Sequence, residues 1–120
     1  MISDILFKRY VTNDPNDFAD RLYMSSEEIK ILINEGMYVG SHTMKHCWLN
    51  KLSKKDQYEE ISNSIEFLNF LGVSTKNWIM CYPYGEYNAD TLDLLYKKNC
   101  AFGLTNKVGE ANLKRGNFLE

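Results

Sequence analysis

A chain of 120 residues with 44% hydrophobic and 25% charged side chains has the balance of a folded domain rather than a disordered segment, with length for one modest core. The formal net charge is −2 and the lysines and arginines are scattered, which excludes the concentrated basic face that nucleic-acid binding requires. No apolar run approaches the roughly 18 residues of a membrane span, and Met1-Ile2-Ser3-Asp4 does not open a secretory signal, so the expected location is cytoplasmic.

Residues 1–24 carry weak signals. Ile5-Leu6-Phe7 and Tyr10-Val11 are short apolar patches, and Asn13-Asp14-Pro15-Asn16-Asp17 reads as a turn, so this N-terminal segment is expected to be loosely held. From residue 25 to 120 the pattern is that of an α/β domain. Ser25 with Glu28 forms a capping box, Ile29, Leu32 and Ile33 share one helical face, and Gly36 ends a helix predicted over 26–35. Met37 to Ser41 then reads as a short strand. Ser53 opens a longer helix in which Tyr58, Ile61, Ile65 and Leu68 recur at three- and four-residue steps until Gly72. Trp78 to Tyr82 is a continuous apolar run of strand length, stopped by Pro83 and suited to burial on both faces. Asn88 caps a helix carrying Leu92, Leu95 and Tyr96, Cys100 to Thr105 is a third strand, Asn106 to Glu110 a turn, and Leu113, Arg115 and Phe118 belong to a last short strand. Helices alternating with strands imply parallel pairing through right-handed crossovers, which puts the loops after successive strands at one sheet edge.

Two of those loops carry the chemistry. His42 and His46 are the only histidines, four residues apart in Gly40-Ser41-His42-Thr43-Met44-Lys45-His46, and imidazole is the commonest protein metal ligand. The spacing alone is weak, because two surface histidines on a helix would look the same. Pro83-Tyr84-Gly85, taken alone, is equally an ordinary turn after a strand. Tyr58, Phe67, Phe70 and Tyr96 sit at helical spacings and are expected in the core, whereas Trp48, Tyr82, Tyr84 and Tyr87 lie close enough to the motifs to touch a ligand held there. Cys47, Cys81 and Cys100 are odd in number and far apart, as free, partly buried thiols would be.

Gly40-Ser41-His42-Thr43-x-x-His46 after a strand, with Tyr82-Pro83-Tyr84-Gly85 some forty residues later, resembles the NodB-like polysaccharide deacetylases, carbohydrate esterase family four. The resemblance implies a partial NodB-type irregular (β/α) barrel, corresponding to the C-terminal half of that domain. It implies hydrolysis of N-acetyl groups on the amino sugars of a glycan, with a divalent metal, zinc by preference, held by His42 and His46. Thr43 would brace the metal loop through its hydroxyl. Tyr84 would contribute its backbone N–H to the oxyanion hole, and Pro83 and Tyr84 would line the substrate groove.

The departures are as specific as the matches. The family's earlier Thr-Phe-Asp-Asp motif, which supplies the base and the third metal ligand, has no counterpart, since Asp4, Asp14 and Asp17 lack the context. Cys81 stands where an arginine commonly opens the third motif. No histidine follows His46 to serve as the acid, and Leu113-Lys114-Arg115 is only a weak match to a Leu-x-Arg ending. The metal site is therefore expected to be incomplete. A truncated enzyme, or one completed by self-association or by a chain carrying the absent half, is the leading reading. A non-catalytic carbohydrate-binding domain of the same fold is the alternative, and an unrelated small α/β domain with incidental histidines is the third.

Overall fold

The computed structural model describes residues 2–109 and 118–119, and the chain divides into two compact units, Met1–Met37 and Tyr38–Glu120. The Leu-x-Arg segment and most of the expected last strand lie outside the described residues.

The first unit holds three helices, α1 (Ile2–Tyr10), α2 (Pro15–Leu22) and α3 (Ser26–Asn34). The segment read as a turn is the start of α2. The Asp14 carboxylate accepts the N–H groups of Asn16 and Asp17, each at 3.1 Å, and Pro15 takes the first helical position, where its missing N–H costs nothing. The capping box at α3 forms as expected, with Ser25 and Glu28 each satisfying the other's backbone N–H, and Gly36 leaves the helix at φ +83. Phe7 meets Phe18 edge to face at 5.4 Å, joining α1 to α2, yet none of the three helices has a fully buried residue.

The second unit contains the core. Strands β1 (Trp78–Cys81) and β2 (Cys100–Leu104) pair in parallel, Trp78 opposite Cys100 and Cys81 opposite Leu104, with an irregularity after Trp78. The strand expected over Met37–Ser41 is reduced to one parallel bridge, Ser41 to Met80, on the other edge of β1. Helix α4 (Lys54–Phe70) connects this edge to β1, and α5 (Ala89–Lys97) makes the crossover from β1 to β2. Ser53 caps α4, Gly72 ends it at φ +86, and Asn88 with Thr91 forms a capping box on α5.

Leu49, Ile61, Trp78, Met80, Leu94 and Leu95 form the centre of the core. β1 alternates: Trp78, Met80 and Tyr82 point inward, while Cys81 is exposed, so the run is buried on one face rather than two. The aromatic residues expected in the core are on the surface. Phe67 and Phe70 stack on each other, Lys98 sits over the ring of Tyr58, and Tyr96 is 78% exposed, its place on α5 taken by Thr91, Leu94 and Leu95. On α4 the inward face is Gln57, Glu60, Ile61, Ser64 and Leu68. Three of those five are polar, and each has partners. Gln57 accepts the Thr91 hydroxyl at 2.7 Å, and Glu60 and Ser64 reach the histidine loop.

Candidate metal and glycan site

The site is built where two chain segments leave the sheet. Ser41 donates its N–H to the Ile79 carbonyl at 3.0 Å and accepts from the Cys81 N–H at 2.9 Å, so the histidine loop starts level with the end of β1. Gly40 permits this approach, since a Cβ there would sit 3.0 Å from the Ile79 carbonyl oxygen and 3.2 Å from the Tyr38 ring. On the opposite side, Tyr82 N–H bonds the Leu104 carbonyl, and Pro83-Tyr84-Gly85 turns away. Both motifs therefore emerge at the C-terminal edge of the parallel strands, where α/β folds place their sites.

The rings of His42 and His46 meet edge to face with centroids 4.6 Å apart, and His46 meets Tyr84 in the same way at 4.7 Å. Four residues separate the histidines, yet the segment is not helical. Thr43 and His46 both adopt left-handed backbone, φ 63 and φ 55, which folds the loop back on itself. The Nδ1 of His42 lies 2.7 Å from the Cys81 carbonyl oxygen. A carbonyl can only accept, so Nδ1 is the donor, and in the neutral ring that tautomer leaves the lone pair on Nε2. Two imidazoles so placed suit a borderline-soft divalent ion such as zinc. Among the described residues no third His, Cys, Asp or Glu groups with them.

Thr43, read as the bracing hydroxyl, has its Oγ1 buried with no hydrogen-bond partner among the described residues. Ser41 holds the loop instead, through its Oγ to Ser64 Oγ at 2.7 Å and to the Thr43 N–H at 3.4 Å. Glu60 accepts from the N–H groups of Met44 and Lys45. Neither Ser64 nor Glu60 stands out in the sequence, where the only signal is polar residues falling on the inward stripe of an amphipathic helix.

Tyr84 is itself left-handed, φ 59, and its carbonyl accepts from Asn106 Nδ2 at 3.0 Å. Gly85 follows at φ +73, and a Cβ there would overlap the Asn106 side chain. Gly85→Ala is expected to unseat Asn106 from the turn and to cost about 1–3 kcal/mol, read as a lower denaturation midpoint. Of the four aromatics near the motifs, Trp48 and Tyr84 stack at 4.4 Å and are each 45% exposed, beside His46. Tyr82 is buried with its hydroxyl on the Leu119 carbonyl, Tyr87 packs against it half-buried, and Pro83 is buried behind the turn. A cavity of about 240 Å³ opens beside His42, between Tyr38, Gly40 and Ser41 on one side and Ile79, Cys81 and Leu104 on the other.

Cys47, Cys81 and Cys100 are all free. Burial pushes the Cys100 thiol up to about 11, which keeps it protonated and unreactive, whereas Cys81 is exposed.

A parallel α/β sheet with a His-x-x-x-His loop and a Pro-Tyr-Gly turn at one edge defines a class of protein: the chain belongs to the polysaccharide deacetylase family, whose model matches residues 8–102. Its fold is the NodB type of carbohydrate esterase family four. The curated "Putative polysaccharide deacetylase YxkH" of Bacillus subtilis (strain 168) is 28% identical over 96 residues, 80% of this chain and 34% of the relative. The Streptococcus pyogenes deacetylase PplD, solved in complex with acetate, matches with a TM-score of 0.75 at 24% identity, over 98% of this chain and 54% of its own. A family 4 carbohydrate esterase from Streptomyces lividans, also in complex with acetate, matches with a TM-score of 0.61 at 23% identity, over 66% of this chain and 40% of its own. The chain thus spans about a third of the curated relative and about half or less of the solved ones.

Proposed function

We propose that this chain supplies the metal-binding and carbonyl-binding portion of a metal-dependent N-deacetylase acting on the amino sugars of a glycan. The observation that carries the reading is the meeting of His42, His46 and Tyr84, with the His42 Nδ1 proton committed to the Cys81 carbonyl. His42 and His46 would hold a divalent cation, zinc by its ligand chemistry. When bound, such an ion polarises an acetamide carbonyl and acidifies water. The backbone N–H of Tyr84 would donate to the oxygen of that carbonyl, and the exposed Trp48–Tyr84 pair would lie along a sugar face. Full turnover needs a carboxylate base and a third ligand, and among the described residues no group of three metal-ligating side chains forms.

That last point favours a second reading, a domain that binds glycan without turning it over. Both readings are tested with N-acetylated and fully deacetylated chito-oligosaccharides, using Trp48 fluorescence with and without zinc and an amine-release assay. The proposal expects zinc-dependent binding of the acetylated oligomer alone, and no amine release from this chain by itself, because loss of the base removes a factor of about 10²–10⁴ in rate. Equal binding of both oligomers without zinc would support the second reading. Robust turnover lost in His42→Ala would mean that a base reaches the site from residues not yet placed there.

A further inference from the structure

We propose that Glu60, on α4 and outside both motifs, is a positioning residue whose carboxylate shapes the histidine loop. The inference rests on reading that loop as a metal site and names what sets its geometry. Glu60 is only 6% exposed. Its Oε2 accepts the N–H of Lys45 at 2.8 Å and that of Met44 at 3.2 Å, two successive donors lying between the histidines. Thr43, at φ 63, precedes them, and the two successive N–H groups converge on a single carboxylate oxygen, as donors do in a backbone nest. A carboxylate seated there makes charge-assisted bonds, stronger than those of a neutral acceptor. A buried charge without such donors would be costly, so the nest explains how a glutamate fits the inward face of α4.

The neighbouring cation contributes little. Lys45 Nζ is 3.9 Å from the other carboxylate oxygen and its side chain is 76% exposed, where an ion pair is weak. One helical turn further along α4, Ser64 fixes the entry to the loop through Ser41. Glu60 and Ser64 together hold the segment carrying both imidazoles, so their separation depends on a helix that itself bears no ligand.

Amide hydrogen exchange and histidine ¹⁵N spectra of the 120-residue chain test this without metal, in the parent, Glu60→Gln and Glu60→Ala. Alanine is expected to speed exchange at Met44 and Lys45 about ten- to a hundredfold while the amides of Ile79 to Cys81 keep their protection, and to weaken the cross-relaxation between the His42 and His46 rings. Glutamine, which keeps the shape and a neutral acceptor, should shift the same amides less. Zinc affinity should fall about ten- to a hundredfold in Glu60→Ala. Unchanged exchange at Met44 and Lys45, or equal acceleration throughout β1, overturns the proposal. If alanine does not fold, the glutamine variant decides on the same pattern. A parent chain that binds no zinc but shows the local exchange pattern would sink the metal reading and leave the positioning of the loop by Glu60 intact.

Discussion

Alanine at His42 should reduce zinc affinity by more than about a hundredfold, beyond what loss of a supporting hydrogen bond costs a metal site. Two imidazoles are the donors that the described residues bring together, so removing either leaves a single nitrogen, which is no better than an isolated surface histidine. His42 should be the more sensitive of the two. Its Nδ1 is tied to the Cys81 carbonyl, which orients the ring and fixes the tautomer before any ion arrives. Competition titration of zinc against a chelator reads the difference, with His46→Ala as the parallel variant. Equal affinity in the parent and both variants would show that zinc binds elsewhere on the chain.

Alanine at Trp78 should be the most damaging change to the fold, costing about 3–5 kcal/mol, the usual range for deleting a large buried aromatic. Trp78 is 1% exposed, at the start of β1 within the core cluster, and its Nε1–H donates to the Lys98 carbonyl at 2.8 Å, at the end of α5. The substitution opens a cavity and leaves that carbonyl unpaired, so transfer and hydrogen-bond losses fall together. Urea denaturation followed by circular dichroism checks it. Phe102→Ala, at a 40% exposed position on β2, should cost far less. A Trp78→Ala loss no larger than that of Phe102→Ala would mean that this cluster is not the stabilising core.

The elements with complete local signals were legible from sequence. Ser25 with Glu28, Ser53, Gly72 and Asn88 each sit where a helix needs a cap or a stop, and the caps form as read. Asp14-Pro15 starts a helix where the sequence pattern predicts a turn, because the same dipeptide suits both and weak periodicity afterwards does not separate them. The inward face of α4 departs from its apolar pattern for a different reason. Counting apolar residues selects Tyr58 and Ile65, whereas Gln57, Glu60 and Ser64 are buried because partners distant in sequence satisfy them. Nothing in a helical pattern announces such partners. The meeting of the two histidines with Tyr84 was legible, since the motifs follow successive parallel segments. The left-handed turns at Thr43 and His46 that bring the rings together are not, because positive φ is uncommon outside glycine and a β-branched Thr43 is among the residues least expected there.

The most direct test of the shared site is a histidine ¹⁵N titration of the 120-residue chain with zinc. The Nε2 signal of His42 and one ring nitrogen of His46 are expected to shift together and saturate at one equivalent, while His42 Nδ1 keeps its proton on the Cys81 carbonyl. Shifts in one ring only, or saturation that survives His46→Ala, would contradict it.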